Sequence, residues 1–517
     1  MSNFISLAGL AATLTCLLNG ARAQIYNMGK APLPANRSLH TLYAFYVYSH
    51  EEAPERPLGQ PLVKYENLIV TPSSTPSWID LSTYKGVQLS ILKYAEFWNL
   101  IDREKFCCTQ DDKESGRCEH RDQLLVQKPL GQSYEDAHVY TATVPISTKG
   151  EKQESKIRVT GVYILVFSNC GEFADGTVDG QVTVRNSYGY LPGNEYHKMP
   201  FYGWLLTVYI VLTIAWLVLA VRWWKELFNI QSCITAVVLF GLCEAALWYI
   251  FFKDWNAKGQ RHQVLFILSI LSSVIKNIFS YMLVLVASLG WGVTRPYLDR
   301  HVILKIQAVC FLYIVLDFIR EAVLSFRHSH SLSLAFVLLC LLPVSLLNGG
   351  IFYWVFTALS TLMETLKDRR QFEKLALFNR LWTVLIFALS VATVTLLIQI
   401  FNLSRSITAR WQLQWLFADG VSHVLFLVVL AVMMYLWAPN KYSQRYAYSQ
   451  QVDSTEHGEE GAGPDSADVW ADDGGLDDDV EDGESFWAST KKDSKGPEGD
   501  KPGPVDVIGA GGDVEKK

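Results

Sequence analysis

FYGWLLTVYIVLTIAWLVLAV, residues 201–221, runs for 21 positions without a charged side chain. A helix rises ~1.5 Å per residue, so this length matches the ~30 Å hydrocarbon core of a bilayer. The stretch predicts a membrane-spanning helix and divides the chain into an amino-terminal and a carboxy-terminal part. Six further apolar stretches lie in the carboxy-terminal part: Ile230–Phe252, Gln263–Gly290, Val302–Val323, Ser331–Ala358, Leu377–Phe401 and Gln412–Trp437. Seven spans within residues 201–440 predict an α-helical bundle.

The chain of 517 residues is 50% apolar and 19% charged, below the ~25% charged fraction typical of soluble domains. That balance weighs against a cytosolic enzyme and against disorder throughout. The net charge of −6 is a cancellation: residues 1–23 carry +1, residues 24–200 carry −3, residues 201–450 carry +10 and residues 451–517 carry −14. A basic apolar block between a mixed domain and an acidic tail is the pattern of a membrane protein with chemically different ends.

Residues 1–23 read as a signal peptide. The apolar run Phe4–Leu18 is shorter than a span, and the small residues of Ala21-Arg22-Ala23 fit cleavage after Ala23. Residues 24–200 then lie in the lumen. Four of the nine cysteines, Cys107, Cys108, Cys118 and Cys170, fall in this region. In an oxidising compartment they predict two disulfides. Adjacent Cys107 and Cys108 make a strained mutual pair, so one is expected to reach Cys118 and the other Cys170. The histidine spacing of a zinc finger is missing, which disfavours a metal site. Asn36-Arg37-Ser38 is a glycosylation sequon, again consistent with lumenal exposure.

Alternation recurs in Val87–Leu92, Val139–Val144, Lys156–Phe167 and Gly180–Arg185, separated by Gly, Pro, Ser and Asp clusters. Long helical periodicity is missing before residue 200. The region predicts an antiparallel β-sandwich in which the Cys107–Cys118 stretch is a charged loop. Its exposed edges are suited to accept peptide or partner strands, although a disulfide-stapled cap fits the same pattern. No phosphate loop, paired-carboxylate motif or Ser/His/Asp signature stands out, so no catalytic residue is assigned and the expectation is a protein that is not an enzyme.

With a lumenal amino terminus, seven spans leave the tail in the cytosol. The cytosolic connections and the start of the tail carry ten Lys and Arg against six on the lumenal side, as the positive-inside rule asks. Trp223, Trp224, Trp411, Trp415 and Trp437 fall at predicted boundaries, where an indole is favoured. Charges inside the spans are the informative exceptions, since each costs at least ~2.5 kcal/mol at mid-bilayer. Glu244 and Lys276 lie deepest. Asp317, Arg320 and Glu321 lie in the lumenal third of the fourth span, and Asp419 and His423 share a face of the seventh at i and i+4. Together they suggest a polar cavity for a lipid headgroup, an ion or a cargo segment; interhelical ion pairs that fix packing are the competing reading. Pro343 with Asn348-Gly349-Gly350 is a candidate hinge or a site of close backbone approach in the fifth span.

GYLPGNEYHKMPFYG (residues 189–203), WWKELFNIQ (223–231), IKNIFSYMLVLVASLGWGVTRP (275–296) and LWAPNKYSQRYAY (436–448) resemble the lung seven-transmembrane receptor family, also called the GOLD-domain seven-transmembrane proteins. The similarity is greatest to its Golgi-resident transmembrane branch. In the lumenal half, GVYILVFSNCG (161–171) is the most family-like string. The resemblance implies a GOLD-like β-sandwich over a seven-helix bundle, a Golgi membrane location with cycling through endosomes, and endosome-to-Golgi retrograde transport. It also implies escort of membrane-associated or secretory cargo, and cation conduction is a further property proposed for relatives. Glu244, Lys276 and Asp419 match charged positions of the family. Ile270, Asn277 and Ala418 depart from the pattern of its animal members, which weakens ion conduction more than cargo escort or phospholipid binding.

Residues 441–517, densest in acid at Asp477–Glu484, predict a disordered cytosolic tail able to meet sorting adaptors. The terminal Val514-Glu515-Lys516-Lys517 lacks the spacing of a dilysine retrieval signal. A G-protein-coupled receptor is the alternative suggested by the span count. It is disfavoured by Asp299-Arg300-His301 standing before the fourth span instead of after the third, and by the seventh span lacking an internal Asn-Pro pair. No cofactor and no nucleic-acid partner is expected.

Overall fold

The computed structural model describes residues 24–73, 86–102, 104–127, 138–146, 151–171, 175–227, 229–291, 294, 298–327, 334–403 and 411–439. The predicted signal peptide (1–23) and acidic tail (441–517) lie outside them.

Among the described residues nine strands make two antiparallel sheets: β1 Ile25–Asn27, β2 Ala31–Pro32, β3 Ser38–Val47, β4 Leu62–Pro72, β5 Val87–Lys93, β6 Val139–Thr143, β7 Glu151–Lys156, β8 Gly161–Asn169 and β9 Gly176–Arg185. One sheet runs β1-β9-β4-β7, with β2 also on β9; the other runs β3-β8-β5-β6. Alternate residues face inward, as a pleat dictates. Val87, Leu89 and Ile91 of β5 meet Tyr163, Leu165 and Phe167 of β8 and Val178, Val182 and Val184 of β9 in one core. β8 is buried on both faces, because Ile164 and Val166 point the other way, against Phe97, Ile101, Leu124 and Val126 of a covering segment.

The expected strand Lys156–Phe167 is two strands. Ile157 leaves the ladder between β7 and β8, which belong to different sheets. β3 and β4 escaped the sequence reading because bulges at Thr41/Tyr43 and Tyr65/Leu68 shift their alternation by a residue. Asn36 is exposed in the turn before β3.

The pairing of the four cysteines is Cys107–Cys170 and Cys108–Cys118. The first ties the covering segment to the end of β8. The second closes over a short helix, Gln110–Glu114, where sequence predicted a loop. Its capping box joins Thr109 and Asp112, with the Asp112 backbone N–H donating to Thr109 Oγ1 at 3.4 Å and Thr109 N–H donating to Asp112 Oδ2 at 3.2 Å. Lys105 Nζ lies 2.8 Å and Arg117 3.4 Å from Asp112 Oδ1.

Among the described residues seven helices of sixteen residues or more follow: α1 Lys198–Arg222, α2 Asn229–Lys258, α3 Gln263–Ser288, α4 Arg300–Arg327, α5 Leu334–Asp368, α6 Phe372–Leu403 and α7 Val421–Leu436. Six are long and apolar enough to span a bilayer among the described residues; α7 is shorter. The seventh predicted stretch is interrupted by a π-helical turn at Leu416–Gly420, which splits its hydrogen-bond ladder and leaves α7 as the remainder. α5 passes through Pro343 as one element. A Cβ on Gly349 or Gly350 would meet nothing within 4 Å, so the expected close approach is not made there. It occurs instead at Gly241 of α2, where a Cβ would come within 2.5 Å of the Tyr209 ring of α1. Trp224 is exposed, whereas Trp411 and Trp437 are buried by packing and do not belong to an interfacial belt.

The Lys105 and Thr109 contacts hold the Asp112 carboxyl well below the usual carboxylate range. A depressed folded pKa contributes stability that is present above the unfolded value, ~3.9, and is lost as pH falls through the folded one. Asp112→Asn is therefore expected to lower the thermal midpoint at neutral pH, with the two midpoints converging only in strong acid. Thermal unfolding of both proteins across pH checks this.

Candidate functional site

Charges cluster where α2, α3 and α7 meet. Glu244 and Lys276 are only 1% and 4% exposed, and their Oε2 and Nζ are 2.8 Å apart. Lys276 Nζ also lies 4.8 Å from the centroid of the Phe426 ring on α7, a cation–π contact. His423 Nε2 stands 3.6 Å from Glu244 Oε1 and 3.4 Å from the Tyr202 hydroxyl of α1. The other ring nitrogen, Nδ1, is 2.9 Å from the Asp419 backbone carbonyl. A carbonyl only accepts, so Nδ1 carries the proton. Nε2 of the neutral ring is then left to accept from Tyr202, and on protonation it donates toward Glu244.

Asp419 and His423 thus meet, but through the backbone. The π turn carries the Asp419 carboxylate to Lys198, 2.6 Å away, and Lys198 also reaches Glu195 Oε2 at 2.8 Å. Sequence reasoning passed over both partners because they stand just before the apolar window of the first span. Their i, i+3 spacing on either side of Tyr196-His197 was the available signal. Asp317 is buried and pairs within its own helix with Arg320, Nη2 to Oδ1 2.9 Å. The side chain of Glu321 lies outside the described residues. The six candidates therefore form two arrangements: Glu244, Lys276, His423 and Asp419 in one chain of contacts, and Asp317 with Arg320 on α4.

Aromatic rings join this chain to the sandwich. Trp411 packs on Tyr46 and Tyr48 at the end of β3, with ring centroids 5.6 and 5.0 Å apart. Trp415 stacks on His197, whose Nε2 is 3.1 Å from the Tyr48 hydroxyl. Burial pushes the Tyr48 hydroxyl up to about 12, so it remains protonated. Asn256 of α2 donates from Nδ2 to the Tyr188 carbonyl at 2.9 Å and accepts from Leu191 N–H at Oδ1. Gly189, at φ +144°, makes that approach possible: a Cβ would come within 2.3 Å of Asn256 Oδ1.

Residues 197–444 match the family model described as GOST, seven transmembrane domain. The chain carries a GOST seven-transmembrane domain. The resemblance read from the four membrane-block strings is borne out by this match. Among relatives, Transmembrane protein 87A of Homo sapiens is 29% identical over 344 residues, 66% of this chain and 57% of that protein. Transmembrane protein 87A of Xenopus tropicalis is 29% identical over 299 residues, 57% of this chain and 54% of that protein. Membrane protein PTM1 of Saccharomyces cerevisiae is 25% identical over 394 residues, 71% of this chain and 73% of that protein. The chain spans about half the length of the first curated relatives it matches. The candidate charges and their aromatic neighbours all lie within the matched residues, apart from Glu195, Tyr46 and Tyr48.

A buried charge stripped of its partner is far more costly than the pair, by ~3 to 5 kcal/mol. Lys276→Met is expected to lower the thermal midpoint of the purified protein strongly. Glu244→Gln with Lys276→Met is expected to recover most of that loss, because both charges leave together. Unfolding of the two variants in nanodiscs compares them.

Proposed function

We propose that this protein is a Golgi membrane protein of vesicular traffic, acting in retrograde transport from endosomes as an escort for membrane-associated or secretory cargo. Cargo is met on the lumenal side by the sandwich, and the bundle carries the complex through the membrane system. The observation that carries this reading is a groove of about 720 Å3 on the sandwich, between β3 and its covering segment. Leu39, Leu42, Tyr94, Phe97, Trp98 and Phe106 line it, and Trp98 is 58% exposed. Consecutive β3 residues of both faces reach it, which places it at the strand's edge. β3 is the outer strand of its sheet. An aromatic groove beside an open edge suits an extended apolar segment.

The charges of the bundle serve this reading as an internal lock. A phospholipid headgroup at Lys276, the partner suggested by the resemblance, has to compete with Glu244 for the same ammonium. The acidic tail faces the cytosol in this scheme and supplies contacts for sorting adaptors. The pairing of Glu244, Asp317 and Asp419 with basic partners weighs against a cation pathway lined by free carboxylates. No geometry described above favours a G-protein-coupled receptor.

Deleting the gene is expected to misplace recycling membrane proteins, and the tagged protein is expected to co-localise with Golgi markers. Re-expression of a Trp98→Ala, Leu42→Asp variant that reaches the Golgi should leave the cargo misplaced. A steady-state plasma-membrane location, or full rescue by that variant, contradicts the proposal.

A further inference from the structure

A second groove, of about 430 Å3, lies on the bundle at the end away from the sandwich, between the end of α3, the start of α4 and the middle of α5. Its lining is Leu289, Val302, Lys305, Ala308, Val309 and Trp354. Five of these side chains are apolar or aromatic and none is acidic. Val302, Lys305, Ala308 and Val309 recur at helical spacing, so one face of α4 forms the wall. Lys305 and Ala308 are exposed, on a helix long and apolar enough to cross a bilayer.

Lys305 is the unusual member. Lys276, in the middle of α3, is buried against Glu244, whereas Lys305 makes no ion pair among the described residues. It stands five residues into α4, at the depth where an ammonium meets lipid phosphate while its stem stays among apolar groups. His301 lies one turn nearer the helix start on the same face, also exposed. An apolar trough capped by a cation, within the thickness of the membrane, matches a lipid with an anionic headgroup. Basic pockets between transmembrane helices recognise such headgroups, whereas zwitterionic lipid offers no net charge to neutralise.

We propose that this groove binds an anionic glycerophospholipid, with the phosphate at Lys305 and an acyl chain along Ala308, Val309 and Trp354. The site is separate from the Glu244–Lys276 centre and uses the leaflet away from the sandwich. It rests on the bundle spanning a membrane and not on the escort reading, so each can fail alone.

The test uses the full-length protein in phosphatidylcholine nanodiscs carrying a trace of photoactivatable phosphatidylserine or photoactivatable phosphatidylcholine, each with a diazirine in the acyl chain. Labelled peptides are mapped by mass spectrometry. Phosphatidylserine is expected to label the peptides bearing Val309 and Trp354 about fivefold more than phosphatidylcholine does, the ratio for ~1 kcal/mol per basic residue at an anionic surface. Lys305→Ala should remove the preference and Lys305→Arg should keep it. Ala308→Phe, which fills the trough, should suppress labelling by both probes, and monodisperse elution of each variant confirms folding. Equal labelling by the two lipids, a preference that survives Lys305→Ala, or labelling unchanged by Ala308→Phe overturns the proposal.

Discussion

The ion pair between Glu244 and Lys276 is the constraint around which the bundle is arranged. Each charge alone would face a large desolvation cost in an apolar interior, and only a close partner with further polar contacts offsets it. The pair therefore fixes the facing of α2 and α3. His423 and Phe426 complete the shell from α7, and Tyr202 does so from α1. Four of the seven helices are committed by one pair of charges.

The same logic extends toward the sandwich. Asp419 turns to Lys198 and Lys198 to Glu195, so the entry to α7 is held against the entry to α1. Trp411 and Trp415 then pack on Tyr46, Tyr48 and His197. The π turn at Leu416–Gly420 stands between the aromatic contacts and the buried pair. The sandwich and the bundle are thus coupled by contacts that are aromatic at one end and ionic at the other.

Much of this was legible before the structure. Apolar length gave all seven helical stretches, because a membrane demands one continuous run for each span. Glu244 and Lys276 stood out because charge in such a run is costly. Less legible were features that depend on the chain folding back. β3 and β4 hide behind bulges, and Lys156–Phe167 read as one strand because the change of sheet between β7 and β8 leaves no mark in the alternation. The partner of Asp419 lies 221 residues earlier, outside any span window. The π turn has no sequence period of its own, so Asp419 and His423 read as a simple i, i+4 pair when their carboxylate and ring in fact serve different neighbours. Trp411 read as a boundary residue because composition cannot distinguish a lipid headgroup from the underside of a sandwich.

The central claim is that the buried charges Glu244, Lys276, Lys198 and Asp419 pair across helices, so that they lock the bundle and are not free to line an ion path. Ion flux through the purified protein, reconstituted in liposomes loaded with a potassium indicator, tests it most directly. The account predicts flux no greater than that of protein-free liposomes. A reproducible potassium flux that Asp419→Ala changes, in a protein that remains folded, would contradict it.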